Sequence, residues 1–196
     1  MSLRIVGRGV ALIWGAIFAV DALGRFLAPG FDSSLWWVDL RGYPGVLVHA
    51  YLTAVAAALL GFGLRPEVSR ARLAGSFAII GSLTALMLSD GLRVLELFKS
   101  GALNSDFPFP MSFVAAVSMG VVLAALRARP SGGSRLGLAV TMMACAVAIP
   151  LAQMFCFGLT SYERPADIAV VLGARAYADG TMSNALEHRV KTACSL

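Results

Sequence analysis

Seven polar or ionisable residues interrupt otherwise apolar stretches of this chain: Asp21, Arg25, His49, Asp90, Arg93, Glu96 and Gln153. A charge facing lipid costs about 2.5–3.5 kcal/mol at the bilayer centre and less toward the interface. Residues of this kind therefore pair with one another or line a polar space. Their spacing suits pairing: Asp21 and Arg25 lie four apart, and Asp90, Arg93 and Glu96 follow at intervals of three. Such intervals bring side chains together on one helix face. Two chemistries are open. The pairs neutralise each other locally while their long side chains reach for the interface, or they form one pocket for an anionic headgroup or a proton. In the second case the third apolar helix is expected beside the first, with Asp21 meeting Arg93 or Asp90 meeting Arg25. His49 alone reads more simply as a hydrogen-bonded packing residue. No metal chemistry is indicated. The chain has three cysteines, without a CxxC or a Cys/His cluster. Cys145 and Cys156 share one apolar run, roughly 16 Å apart along a helix and too far for a disulfide, and Cys194 stands alone.

The elements that position these groups follow from composition. Of 196 residues, 58% are hydrophobic and only 14% charged, where a soluble domain carries about 25% charge. Mean hydropathy is +0.78. Lipid replaces the missing polar surface. The net charge of +5 does not point to nucleic acid, because the basic residues sit in short loops between apolar runs, where they act as topology signals. Five runs, about 9–28, 45–64, 73–97, 110–126 and 136–160, each approach the ~20 residues that cross the hydrocarbon. The expected fold class is an all-α integral membrane bundle of five transmembrane helices over residues 1–160. It is followed at 161–196 by the start of a Rossmann-like α/β domain.

Lysine and arginine asymmetry orients the bundle. Arg4 and Arg8, then Arg65, Arg70 and Arg72, then Arg127, Arg129 and Arg135 all fall on one side, whereas the opposite loops hold only Arg41 and Lys99 clear of the helices. The N-terminus is expected in the cytoplasm and everything after Thr160 outside. Trp36, Trp37, Tyr43, Phe107, Phe109, Phe157 and Tyr162 collect at the outer boundary, where amphipathic rings prefer to sit. The first run also has the basic start and small residues of a signal peptide. Apolar character resumes after Asp21, however, and the run has a later counterpart, so a retained helix is favoured. That counterpart belongs to a weak repeat. VDALGRFL at the end of the first run matches SDGLRVLEL at the end of the third, and LTAVAAALLGFGLRP in the second matches FVAAVSMGVVLAALRARP in the fourth.

After Thr160 the texture changes. Ile168 to Leu172 is a short β-branched run that suits a buried parallel strand. Gly173 ends it, Asp179-Gly180 marks a turn, and Ser183 can cap a helix starting at Asn184. Strand, glycine loop and helix N-terminus together offer backbone N–H groups to an anion, although there is no GxGxxG and no Walker lysine.

This stretch, ADIAVVLGARAYADGTMSNALEHRVKTACSL, resembles the opening of the YdcF-like domain of bacterial envelope proteins, the family that includes SanA and ElyC. The resemblance rests on Asp167, Leu172-Gly173, Asp179-Gly180, Ser183, Leu186 and Arg189 in matching order and spacing. It covers about thirty residues and leaves the membrane part uncovered. It implies a Rossmann-like domain outside the cytoplasmic (inner) membrane, with Gly173, Ala174, Asp179, Gly180, Ser183 and Arg189 facing an anion-binding pocket. It also implies a role in envelope, peptidoglycan or lipid-carrier metabolism, without an agreed reaction or cofactor. The bland readings are turn glycines, a capping serine and a solvated arginine. The chain stops at Leu196, inside the first helix of that domain, with one strand and no partner for it. The expectation is of a longer protein, of which this is the N-terminal part.

The functional expectation is thus a membrane-anchored envelope protein whose outer domain binds an anionic ligand, a lipid-linked phosphate or something nucleotide-like, with the bilayer as its standing partner and nucleic acid excluded. A non-enzymatic membrane scaffold and a small transporter or proton-coupled bundle are the alternatives, and whether the protein is an enzyme stays open.

Overall fold

The computed structural model describes residues 2–28, 31, 34, 37–65, 69–105, 107–128, 134–158, 160, 161 and 189–191. Their architecture is helical: α1 (Leu3–Leu27), α2 (Gly45–Leu64), α3 (Arg70–Lys99), α4 (Met111–Arg127) and α5 (Arg135–Gly158), with two-residue strands β1 (Asn104–Ser105) and β2 (Thr160–Ser161). Four of the helices, α1, α2, α3 and α5, are long and apolar enough to cross a membrane. At 17 residues α4 is shorter.

Local chemistry sets the helix ends. Ser2 and Ser69 cap α1 and α3, their side chains accepting from the N–H groups of Ile5 and Arg72. Pro44 and Pro110 occupy the N-cap positions of α2 and α4, so the two helices placed alike in the sequence repeat begin alike. α3 closes through Ser100, whose N–H reaches the Glu96 carbonyl, and Gly101 at φ 74°, a left-handed conformation that favours glycine. The helices also run further than the apolar stretches suggest: Arg4 and Arg8 lie inside α1, Arg70 and Arg72 inside α3, Arg127 and Arg135 inside α4 and α5. A charged residue ends an apolar run without ending a helix, since arginine is itself a good helix former.

At the arginine-rich end two of these side chains hold helix ends. Arg8 Nε donates to the Gly63 carbonyl at 3.0 Å, and Arg4 Nη1 to the Ala128 carbonyl at 3.0 Å. Those carbonyls end α2 and α4, where the helix dipole is negative and the last acceptors lack intrahelical partners. Arg127 lies over the Phe77 ring, 4.7 Å from its centroid.

The first four helices form a ring. α1 packs on α2, α2 on α3, α3 on α4 and α4 on α1, while α5 lies outside against α1 and, less extensively, α4. The expectation that α3 stands beside α1 is corrected: among the described residues the two are diagonal. α1 is the hub because it carries glycine where its neighbours come closest. A Cβ on Gly7 would collide with the Ala125 side chain of α4, and one on Gly9 would lie 2.7 Å from the Thr141 side chain of α5. Without water to drive association, close backbone approach of this kind supplies packing energy between helices in lipid.

At the other end of the bundle the α1–α2 connection folds inward. Ser34, Trp37, Val38 and Leu40 are all buried. Trp37 stacks edge-on against Trp14 (5.4 Å between centroids) and Phe18 (6.3 Å), both in α1. The preference of aromatic rings for the outer boundary gives Trp37 a depth and no packing partner. Trp37 is 4 % exposed and joins the core with Leu52, Val55, Leu83, Met87, Ala115 and Met119. Tyr43, Phe107, Phe109 and Phe157 are exposed at that same end, and Trp36 and Tyr162 lie outside the described residues. Helix α5 stops at Gly158, short of Thr160, which instead enters β2 and pairs antiparallel with β1, Asn104 opposite Ser161 and Ser105 opposite Thr160.

Candidate functional site, a charged cleft at one end of the bundle

A cleft of about 360 Å³ opens at the end opposite the arginine-rich one. Its polar wall is Asp39 and Arg41 from the α1–α2 connection, Asp90 and Arg93 from α3, Ser112 from α4 and Thr160 from β2. Its apolar wall includes Phe109, Met111, Cys156 and Phe157. Each group is placed by the fold. Burial of Trp37, Val38 and Leu40 draws Asp39 and Arg41 down onto α3. The interval of three sets Asp90 and Arg93 about a turn apart on α3. Ser112 opens α4 directly after its Pro110 cap. The hydroxyl of Thr160 lies 3.0 Å from the Cys156 carbonyl and 3.2 Å from the Ser105 hydroxyl, which holds the post-α5 strand over the cleft.

The charges in the cleft are unevenly engaged. Arg41 grips Asp39 through Nε to Oδ1 at 3.0 Å and Nη2 to Oδ2 at 2.8 Å, the two-pronged geometry that favours arginine over lysine. The Arg41 backbone N–H also donates to Oδ1 at 3.0 Å. The Arg41 guanidinium, bonded to the Asp39 carboxylate, holds that carboxyl below its ordinary range against the opposing effect of partial burial, and the nearby charge of Arg93 adds to the lowering. Asp90 accepts a short hydrogen bond from the Ser112 hydroxyl. The spacing of three suggested that Arg93 pairs with Asp90 or Glu96, and neither pair forms. Asp90 turns to α4, and the exposed Arg93 makes no hydrogen bond or ion pair among the described residues.

The other intramembrane polar residues are distributed differently. Asp21 is fully buried and takes Arg25 Nε at 3.1 Å, while Arg25 Nη2 reaches the Ser34 hydroxyl at 3.0 Å. This second polar group fastens the α1–α2 connection to α1. His49 is half-buried, its ring 6.4 Å from that of Phe26, so it packs between α2 and α1. Glu96 is exposed on α3, and Gln153 is half-buried on α5 away from the cleft lining. Thus Asp90 and Arg93 belong to the cleft, Asp21 and Arg25 to a separate buried pair, and His49, Glu96 and Gln153 to neither. Sequence reasoning missed Asp39, Ser34 and Ser112, and took Arg41 for a plain loop charge. The available signal was the apolar run Trp36 to Val38 with Leu40 in that connection, too hydrophobic to stay on a surface and so bound to carry its flanking acid and base inward.

Of the residues carried by the YdcF-like resemblance, Gly173, Ala174, Asp179, Gly180 and Ser183 lie outside the described residues. Arg189 falls in a helical stretch at 189–191, exposed. No three His, Cys, Asp or Glu side chains converge as a metal site among the described residues.

The fold and cleft define a helical bundle of the multi-pass membrane class, with a bilayer as its environment. Compared with protein-family models, curated proteins and solved structures, the chain matches none.

Proposed function

We propose that the chain is the membrane part of a bacterial envelope protein, set in the cytoplasmic membrane with its arginine-rich end in the cytoplasm, whose opposite end holds the phosphate of a membrane lipid. Five crossings are part of this reading. α4 is enclosed by α1, α3 and α5, and a helix packed along three candidate spans shares their slab. The positive-inside rule supports the orientation. The observation that carries the ligand assignment is Arg93. Both carboxylates of the cleft are engaged, Asp39 by Arg41 and Asp90 by Ser112. Arg93 therefore presents a guanidinium fork, the group that matches phosphate oxygens in pairs, beside a cleft at the membrane boundary. The resemblance of residues 167–196 to a YdcF-like opening supports an extracytoplasmic anion-binding α/β domain above the same end, in a role in envelope or lipid-carrier metabolism.

The test is binding of a lipid phosphate to the chain in nanodiscs of zwitterionic lipid. A charge-assisted hydrogen bond contributes about 1.5–3 kcal/mol, so Arg93→Ala should weaken binding by roughly 10- to 100-fold. Arg93→Lys, which keeps the charge and loses the fork, should fall between. Unchanged affinity in Arg93→Ala ends this reading.

A further inference from the structure

Below the charged cleft, on the same side of α3, lies an apolar groove of about 250 Å³ between α2 and α3, lined by Leu40, Tyr43, Leu47, Val48, Tyr51 and Leu86. Both spaces border the same connecting segment and the same helix. Leu40 lines the groove while its chain neighbours Asp39 and Arg41 line the cleft. Leu86, Asp90 and Arg93 succeed one another at intervals of four and three, which keeps them on one helix face. A hydroxyl pair crosses between the two helices deeper along α3. The Tyr51 hydroxyl and the Ser82 hydroxyl are 2.9 Å apart, bridging α2 to α3 one turn below Leu86. The groove has a side door, since Tyr43 and Leu47 at its lips are 58% and 62% exposed, on the outer surface of the bundle. From Ser82 to Arg93 is eleven residues, about 16 Å along the axis. Half the hydrocarbon thickness is about 15 Å, so with Arg93 at the phosphate level Ser82 would lie near the middle of the bilayer.

The order along α3 is therefore hydroxyl bridge, apolar groove, then a guanidinium without a hydrogen-bond partner among the described residues. A membrane lipid in the outer leaflet has the same order: chain inward, phosphate at the boundary. We infer that the α2–α3 groove is the chain-binding half of a lipid site, taking one hydrocarbon chain of a phosphate-bearing lipid that enters sideways from the outer leaflet, its phosphate at Arg93. The inference rests on the headgroup reading above and adds to it a route and a chain subsite. A soluble phosphate offers nothing to fill the groove. The charge at the mouth and the apolar walls beneath it are complementary to a lipid alone.

A long-chain alkyl phosphate and a short-chain alkyl phosphate, each added to the full chain in nanodiscs of zwitterionic lipid, separate the two halves. Leu86→Trp, which fills the groove, should weaken the long-chain probe at least roughly tenfold and leave the short-chain probe unchanged. Arg93→Ala should weaken both. Long-chain binding that survives Leu86→Trp while Arg93→Ala abolishes it would overturn the groove and leave the headgroup reading standing. Long-chain binding lost in Leu86→Trp but intact in Arg93→Ala would do the reverse. Indifference to both overturns both. Because Leu86→Trp can disturb packing, a second measurement uses the unaltered chain. A long-chain alkyl phosphate carrying a mid-chain diazirine should crosslink to Leu47, Tyr51 or Leu86, and the same probe with its phosphate replaced by a hydroxyl should crosslink there far less. Labelling spread evenly over the exposed faces of α3 and α5 would mark ordinary bilayer contact and refute the site.

Discussion

Replacing Asp21 with alanine perturbs the most deeply buried charge in the described structure. Its carboxylate is fully buried and 3.1 Å from Arg25 Nε, whose side chain keeps 19% exposure. Breaking a buried pair by removing one partner costs about 3–5 kcal/mol, because the remaining charge is left uncompensated. Here the survivor would be Arg25, which retains its bond to the Ser34 hydroxyl and enough exposure to shift toward the interface. The lower end of the range, about 3 kcal/mol, is therefore expected for Asp21→Ala, more than a hundredfold in the unfolding equilibrium. Arg25→Ala should cost at least as much, since it leaves a carboxylate with no exposure and too short a stem to reach water. The double variant should recover much of the sum, and Asp21→Leu with Arg25→Met should be near neutral, as apolar replacements of buried pairs often are. Unfolding in bicelles, followed through a double-mutant cycle, measures the coupling. Additive losses, with coupling below about 0.5 kcal/mol, would refute the buried-pair account and leave Asp21 and Arg25 as independent groups.

Other consequences are as direct. Gly7→Ala should destabilise the bundle by about 1–3 kcal/mol through overpacking on Ala125, whereas Gly75→Ala, with nothing within 4 Å of the added Cβ, should be neutral or stabilise by up to about 1 kcal/mol; the same bicelle unfolding assay compares them. Asp39 has a depressed folded-state pKa, so the folded state binds fewer protons than the unfolded one between that value and the ordinary 3.8. Its contribution is present above 3.8 and lost as pH falls through the depressed value. Tryptophan fluorescence of a Trp14→Phe, Trp36→Phe variant, in which Trp37 of the adjoining connection is the remaining tryptophan, should hold from neutral pH to about 5, change only in stronger acid, and lose that acid step when Asp39→Asn is added. A reporter enzyme fused after Thr160 should be active only in a form that works outside the cytoplasm; activity of a cytoplasmic reporter there would break the proposed topology.

The helices themselves were legible because their cause is local. An apolar run near twenty residues has to satisfy its own backbone in lipid, and the helix is the only open-chain way to do so. The runs beginning at Gly45 and Pro110 therefore start within a residue of α2 and α4, and the Pro that precedes or opens each supplies the boundary. The local pair Asp21–Arg25 was legible for the same reason: four residues on a helix is a fixed distance. Residues 162–188, which include most of the stretch carrying the YdcF-like resemblance, lie outside the described structure.

What only the tertiary structure decided was which helix stands beside which, and so which charges share a site. Spacing made Asp90 and Arg93 partners, but Ser112 from α4 took Asp90. Depth made Asp21 and Arg93 neighbours, but α1 and α3 stand diagonally in the ring and Asp21 is taken by Arg25 of its own helix. Equal depth in a membrane sets one coordinate of a residue. The other two depend on the order of helices around the ring and on whether a loop enters it, and these follow from packing among many residues that no single interval in the sequence encodes.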